Sequence, residues 1–540
     1  MMKIRFALIL FIYSTLLFGS AKPPKLVVQI VVDQLRGDLI TLHQQKFGPD
    51  GFNYLLAHGL DFHNAHYPQA HTVTCVGHAT LATGSYPALH GIVANEWYDR
   101  ELGRRIHCVD DPQSKILTTS RSRKLTAGKS PKYLIASTLS DEIVLAEKGR
   151  AFAVSFKDRA AITLAGHAAK AFWFDKLNGG FISSNHYYSN YPQWVRDWND
   201  HYEAKNLTWN LSQPEDSYRF TKAPRFKNRF PGFGENFPHQ TGAIDSRHYY
   251  KFLSMTPFAD ELTADFAIAL LRQEKLGQSL GKIDYLALSF SAVDAVGHQF
   301  GPNSLESEDN LLHLDKVLAK LLAAIEKQVG LENTLIVLTA DHGVSDSSTY
   351  LAAHKIAENY SFTIPQLRKL IQEGLTRKYQ LPANSIEDLV LPYIYLNHKL
   401  LDDHHLSVNQ VSSYLAEFLS KQAGLFKVYK LPLTDNASDW LSAKINKMAY
   451  SGRSGDLYLI PYPFQALGYK NKQRVAHGTP WQYDSFVPLL FVNPAFKAQR
   501  IYKPVSLTEV APTLAAIMQI KAPSAAIGQP LLKVLEQFDS

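Results

Sequence analysis

Lys25–Val32 reads KLVVQIVV, apolar but for its first residue and Gln29, and runs straight into Asp33. A β-rich run of this kind is what a strand buried on both faces looks like. Similar runs follow at Ala151–Ser155 (AFAVS), Ile283–Phe290 (IDYLALSF), Thr334–Leu338 (TLIVL) and Phe486–Val492 (FVPLLFV). Helical patterns lie between them, such as Leu311–Gln328, where Leu, Val and Ile recur at three-to-four spacing. Strands alternating with helices imply an α/β chain with a mostly parallel central sheet flanked by helices.

Three of these strands lead to an aspartate. The first meets Asp33 directly. IDYLALSF passes through Ser291, Ala292 and Val293 to Asp294, with His298 four residues on. TLIVL passes through Thr339 and Ala340 to Asp341-His342-Gly343. In a parallel sheet all carboxyl ends face one side, and ligands bind there. Carboxylates gathered so closely need a counter-charge, and a metal cluster supplies it. Each motif alone has an ordinary reading: a helix N-cap, an i, i+4 pair, a turn. All three at strand ends, with His477 in Ala476-His477-Gly478-Thr479-Pro480, favour the metal centre. His71–Thr80 (HTVTCVGHAT) reads as the start of a helix built from small residues. The Thr74 hydroxyl there would lie at the positive end of the helix, where anions bind. The Cys75 N–H is a further candidate donor, and Cys75 itself reads as a small buried residue. His71 and His78 read as supporting or packing histidines, and His167 has no assigned role. Asn95 closes Gly91–Asn95, and Lys157 and Arg159 follow the AFAVS strand. By sequence pattern alone that pair could equally be solvated charges.

Composition narrows the function classes. The chain has 540 residues, 46% hydrophobic and 19% charged, which excludes a disordered polypeptide. Two cysteines cannot build a disulfide scaffold, a cysteine-based zinc cluster or an iron–sulfur centre, whereas 21 histidines leave ample metal ligands. A net charge of +7 is diffuse at this length, so no nucleic-acid polymer is expected as a partner. Met1–Arg5 is a short basic start, Phe6–Phe18 is mainly apolar, and Gly19-Ser20-Ala21 offers small residues before a cleavage point. This predicts a signal peptide over residues 1–21, hence a periplasmic or secreted protein, and no later run is long enough to span a membrane. Residues 22–540 are expected to form one catalytic domain with insertions at about 172–250 and 360–440. Phe172–Tyr218 holds Trp173, Trp194, Trp198 and Trp209; a packed cap is favoured over an aromatic wall beside a substrate. Ile364–Lys421 reads as helical and polar. Pairing of Cys75 with Cys108 is left open.

Asp33, Thr74, Asp294-x-x-x-His298, Asp341-His342-Gly343 and the late His477 resemble the alkaline phosphatase superfamily, and the resemblance spans nearly the whole mature chain. Within it, Thr74, the Asn95 segment and Ser155–Arg159 are similar to the PafA-like, phosphate-irrepressible alkaline phosphatases. The resemblance implies an alkaline phosphatase-like fold with inserted cap subdomains and two zinc ions. One would be held by Asp294, His298 and His477, the other by Asp33, Asp341 and His342 with the Thr74 oxygen. It also implies Thr74 as nucleophile, forming a phospho-threonine, and Asn95, Lys157 and Arg159 as phosphate-binding groups, with no third metal. Two zinc ions would balance the three aspartates and a threonine alkoxide. A phosphate monoester is a dianion and needs the further charge of Lys157 and Arg159; a diester needs it less.

The expected activity is therefore exported phosphomonoesterase action on small phosphate esters, by a monomer. A phosphodiesterase or nucleotide pyrophosphatase on the same core is the alternative enzyme. A sulfatase would need Cys or Ser in a C/S-x-P-x-R motif, and Cys75 is followed by Val76-Gly77-His78 instead. The non-enzyme alternative is an exported metal- or phosphate-binding protein.

Overall fold

A computed structural model describes residues 21–118, 127–224, 232–356, 362–433, 439–468, 475 and 477–538. The expected signal peptide lies outside the described residues apart from Ala21. Among the described residues, no helix is long and apolar enough to cross a membrane.

The central sheet has ten strands: β1 (Leu26–Val32), β2 (Gly59–Phe62), β3 (Ile116–Leu117), β4 (Ala151–Ser155), β5 (Lys170–Phe174), β6 (Phe181–Ser184), β7 (Asp284–Phe290), β8 (Thr334–Thr339), β9 (Leu489–Val492) and β10 (Gln499–Ile501). Their order is β10-β2-β9-β8-β1-β7-β4-β5-β6-β3. The inner strands β8, β1, β7, β4 and β5 are parallel. The flanks at β9 and β6 are antiparallel. Every residue of β1, β4, β7 and β8 is buried. Each large apolar side chain so enclosed contributes about 1.5–3 kcal/mol, which fixes this part of the molecule most firmly.

Register then sets the site. Val32 stands opposite Phe290, and Val31 opposite Thr339. Ser289 stands opposite Ser155. The chain therefore leaves β1, β7, β8 and β4 at one level, delivering Asp33, Asp294, Asp341 and Lys157 to one edge. Five helices matter here: α1 (Thr74–Thr83), α2 (Asp158–Ala165), α3 (Phe258–Gln273), α4 (Ala292–Phe300) and α5 (Leu305–Gln328). Helix α1 is buried along its whole length. It comes so close to the DHG loop that a Cβ on Gly77 would lie 2.0 Å from the Asp341 carbonyl oxygen, so only glycine fits there.

Three expectations need correction. FVPLLFV is not one strand. Pro488 lacks an N–H and interrupts the ladder; Phe486–Val487 pairs in a small separate sheet while β9 joins the main one. The aromatic segment does not begin at an insertion, since Phe172 and Trp173 belong to β5 of the main sheet. Ile364–Lys421 is not merely helical. Its helices Ile364–Tyr379 and Val408–Ser420 pack on a four-stranded antiparallel sheet of Ile386–Val390, Tyr393–Leu396, Leu457–Pro461 and Leu425–Lys430, with a core of its own around Leu367, Ile371 and Leu415. Trp194 packs tilted against Phe266 of α3 at 5.4 Å, and Trp198 meets the same ring edge-on at 5.1 Å. The indole N–H of Trp209 donates to Asp309 at 2.6 Å. These rings are packing groups.

Candidate active site

Asp33, Asp341 and His342 form one group whose ligand-type atoms all lie within 4.8 Å of one another. All three are fully buried. His342 Nε2 is 3.4 Å from Asp33 Oδ1 and 3.5 Å from Asp341 Oδ2. Among the described residues, none of these three atoms finds a hydrogen-bond partner of sound geometry. Buried polar atoms left so are costly unless something else satisfies them, and a metal ion fits. The other ring nitrogen of His342, Nδ1, faces the Gly343 carbonyl at 2.9 Å, which leaves the Nε2 lone pair for a ligand bond.

Asp294, His298 and His477 form the second group, again within 4.8 Å. Asp294 Oδ1 lies 3.1 Å from His298 Nε2 and 3.7 Å from His477 Nε2. The two imidazole nitrogens are 3.2 Å apart. His477 Nδ1 faces the Thr72 carbonyl at 2.9 Å, so its Nε2 is also directed inward. The His477 and His342 rings stack at 3.8 Å, joining the two groups. Mixed carboxylate and imidazole donors suit zinc or a similar transition metal better than magnesium or calcium.

Between the groups sits Lys157. Its ammonium is 2.5 Å from Asp33 Oδ2 and 2.5 Å from Asp294 Oδ2. One cation thus bridges an acid of each group through the oxygens that face away from the histidines. Burial and the neighbouring Asp294 and Asp341 push the Asp33 pKa up to about 6, against the pull of Lys157 and His342. Burial acts the same way on Asp294, but Lys157 and His298 outweigh it and hold that carboxyl well below its usual range. Burial, then His342 and His298, hold His477 well below an ordinary imidazole.

Thr74 opens α1, and its Oγ1 lies 3.5 Å from Arg159 Nη2. Arg159 Nε is buried without a hydrogen-bond partner among the described residues. Asn95 is beside them, but its Oδ1 accepts the Cys75 N–H at 2.9 Å. That N–H is therefore already used, which corrects the expectation that it donates to phosphate. Cys75 is also more than a packing residue, because it forms a disulfide with Cys108. The ten residues expected to hold metal, attack phosphorus or bind phosphate gather at this one edge.

The remaining histidines behave as supports. His78 uses both nitrogens, toward the Thr74 carbonyl and Ser289 Oγ, each at 2.8 Å. His71 Nδ1 meets the Gly478 carbonyl at 2.9 Å. His167 is held by Asp141 at 3.1 Å and stays out of the site.

Sequence reading missed three polar supports. Gln34, held at φ 70°, donates its backbone N–H to Asp341 Oδ1 at 3.1 Å and its side-chain amide to Asp294 Oδ1 at 2.7 Å. Asp260 on α3 accepts the N–H groups of Ser291 and Ala292 at 2.8 and 3.0 Å, anchoring the start of α4. Asp484 accepts from the Thr479 N–H at 2.9 Å and the Thr479 hydroxyl at 2.5 Å. Its backbone carbonyl takes the Gly343 N–H at 2.7 Å. It therefore ties the His477 loop to the His342 loop.

Burial pushes the Asp484 pKa up to about 8, against the Thr479 hydrogen bonds and the more distant Arg36 and Lys444. The folded chain therefore holds this proton more tightly than the unfolded chain. Its contribution is fully present below the unfolded carboxyl value and is lost as pH rises through about 4 to 8, at about 1.4 kcal/mol per pH unit. Asp484→Asn keeps an acceptor for Thr479 and cannot ionise. Denaturant titration of metal-free protein across that window should give a flatter stability–pH curve for the variant than for the parent. Parallel curves would show that Asp484 is ionised throughout.

A cavity of about 620 Å³ opens over the site. Arg159, Asn95, His298 and His477 line its floor, and Leu389 and Leu467 of the smaller subdomain line its wall.

Two carboxylate–imidazole groups, a hydroxyl at a helix start and a guanidinium at the carboxyl edge of a parallel sheet define a metal-dependent hydrolytic centre. Comparison with known proteins agrees. A family model described as type I phosphodiesterase / nucleotide pyrophosphatase matches residues 27–482. The alkaline phosphatase PafA of Elizabethkingia meningoseptica is 33% identical over 529 residues, covering 95% of this chain and 94% of that protein. The alkaline phosphatase PhoV of Synechococcus elongatus is 32% identical over 534 residues, covering 95% and 93%. A crystal structure of wild-type alkaline phosphatase PafA superposes with a TM-score of 0.84 at 30% identity, covering 95% of this chain and 99% of that one. A PafA variant substituted at a threonine, an asparagine, a lysine and an arginine has also been solved and matches with a TM-score of 0.84 at 29% identity. The chain belongs to the type I phosphodiesterase / nucleotide pyrophosphatase family, a family of hydrolases, and has the alkaline phosphatase-like fold.

Proposed function

We propose that the chain is an exported, zinc-dependent phosphomonoesterase that passes through a phospho-threonine at Thr74. The observation that carries this is the meeting of both candidate metal groups with Thr74, Lys157 and Arg159 at one sheet edge. Asp294, His298 and His477 would hold one zinc ion, and Asp33, Asp341 and His342 the other, beside Thr74 Oγ1. Zinc at these positions supplies Lewis acidity to the nucleophile and to the departing oxygen. Thr74 Oγ1 forms the new bond to phosphorus as the bond to the alcohol breaks. Water then cleaves the phospho-threonine, releasing phosphate and restoring the hydroxyl. Arg159 presents a two-pronged donor set to the phosphoryl oxygens, and its unpartnered Nε supports that role. Lys157 adds positive charge, and the Asn95 amide N–H₂ adds a neutral donor. Export rests on the residues before Ala21 and agrees with the Cys75–Cys108 disulfide, since such bonds persist in oxidising compartments. The chain would act as a monomer.

A phosphodiesterase reading draws on the 620 Å³ cavity, which has room for a second ester substituent. Catalytic efficiency on p-nitrophenyl phosphate, bis-p-nitrophenyl phosphate and p-nitrophenyl sulfate separates these readings, with bound zinc measured alongside. The expected order puts the monoester first, with activity lost on chelation and restored by zinc. A diester preference would replace monoesterase by phosphodiesterase, and zinc-loaded protein with no turnover would leave only a binding protein.

A further inference from the structure

The chain has two cysteines, and they meet beside Thr74. Cys75 follows Thr74 in the first turn of α1, and Cys108 follows the hairpin of Glu96–Asp99 and Arg104–His107. Glu96 stands opposite His107, so Asn95 and Cys108 are the next pair outward. The Cys108 N–H donates to the Asn95 carbonyl at 2.9 Å. The Asn95 side chain is held from another direction, its Oδ1 accepting the Cys75 N–H at 2.9 Å. The Cys75–Cys108 bond joins the two donor residues. Asn95 therefore sits in a closed clasp of one covalent link and two hydrogen bonds. Both half-cystines are buried, whereas Asn95 lines the 620 Å³ cavity together with Arg159. With Oδ1 occupied, the end of the amide left for that cavity is its N–H₂.

The rest of the hairpin is held elsewhere. Arg100 pairs with Asp456 at 2.6 Å and Arg105 with Asp388 at 2.7 Å, both acids belonging to the smaller subdomain. Partly exposed ion pairs of this kind hold weakly. Among the described residues, the Asn95 side chain makes its hydrogen bond to α1 through Cys75 alone. A donor contributes most to a reaction when its direction is fixed before the substrate arrives. We propose that the Cys75–Cys108 disulfide is a positioning element of the active site, locking Asn95 against the start of α1 so that its N–H₂ meets the phosphoryl group. The proposal rests on the phosphomonoesterase reading and on Asn95 as a donor within it. Neither sulfur touches a reacting atom; both act through Asn95. A cross-link between residues 33 apart also stabilises the fold, and the two effects have separate readouts.

The test is a double-mutant cycle on the zinc-loaded full chain: the parent, Cys75→Ala/Cys108→Ala, Asn95→Ala and all three changes combined. Turnover of p-nitrophenyl phosphate is measured well below the lowest thermal midpoint, with bound zinc checked in each protein. Asn95→Ala should lower kcat/KM by about tenfold or more. Opening the disulfide should lower it by about five- to tenfold in the parent, but by less than about twofold where Asn95 is already alanine. Inhibition by inorganic phosphate should weaken in the same pattern. The thermal midpoint should instead fall by a similar amount in both backgrounds, since loop closure does not need the Asn95 amide. Cys75→Ser/Cys108→Ser serves where alanine disturbs the fold. Equal kcat/KM losses in both backgrounds would overturn the clasp, because the bond would then act through the fold or through Thr74. So would an unchanged rate after opening the disulfide, or an unchanged rate in Asn95→Ala. If the parent turns over no phosphate ester, the phosphomonoesterase reading fails, and calorimetric binding of inorganic phosphate to the same four proteins still decides the clasp.

Discussion

Thr74→Ala should lower monoester turnover by about 10⁴-fold or more and abolish any phospho-enzyme, while leaving zinc content and fold intact. The expectation follows from position. Thr74 is the first residue of α1, its side chain is buried, and its Oγ1 is the hydroxyl facing Arg159. That contact is long, at 3.5 Å, and correspondingly weak. Deleting the hydroxyl should therefore cost no more than about 1 kcal/mol of stability. Catalysis would lose its covalent step altogether, and the residual rate would come from water attacking at a site that still binds and polarises the ester. Thr74→Ser keeps the nucleophilic atom and should recover most of the rate. Acid-quenched samples analysed by mass spectrometry would carry phosphate at Thr74 in the parent and none in Thr74→Ala. Full activity in Thr74→Ala would remove the assigned nucleophile.

The site was largely readable from the sequence because the strands announce it. Asp33, Asp294 and Asp341 each follow a fully buried apolar run, and a parallel sheet brings all such ends to one side. What was not readable depends on pairings across long stretches of chain. Gln34 supports Asp341 from 307 residues away and Asp294 from 260; nothing about a glutamine after an aspartate signals either bond. Asp260 belongs to an amphipathic helix and would pass for a surface acid, yet it holds the start of the helix that bears Asp294. The Cys75–Cys108 bond needs knowledge of how the Asn95 segment folds back on α1. That same fold-back explains why the Cys75 N–H is spent on Asn95. The small subdomain was hidden for another reason. Its strands are short and lie among amphipathic helices, so helical periodicity dominates the pattern.

Lys157→Ala should have two effects of opposite dependence on zinc. In metal-free protein, the ammonium is the nearest compensating charge for Asp33 and Asp294, at 2.5 Å from each. Its own side chain is only 7% exposed. Removing it leaves buried carboxylates without a partner cation, a change that typically costs about 3–5 kcal/mol. Zinc bound as proposed would supply positive charge to the same carboxylates, so the deficit should narrow in zinc-loaded protein. Binding linkage requires that narrowing to appear as tighter zinc binding by the variant. Unfolding in chelator and in excess zinc measures both quantities. Lys157→Met, which keeps the length and apolar stem, separates lost charge from lost packing. The catalytic effect should run the other way. With zinc bound, the Lys157 charge would be available to the phosphoryl dianion under the proposed mechanism, so monoester kcat/KM should fall by about 10²-fold, with a smaller loss for a diester. An equal stability deficit with and without zinc would make Lys157 a structural cation only. Loss of monoester and diester activity in equal measure would remove the charge argument for the monoesterase.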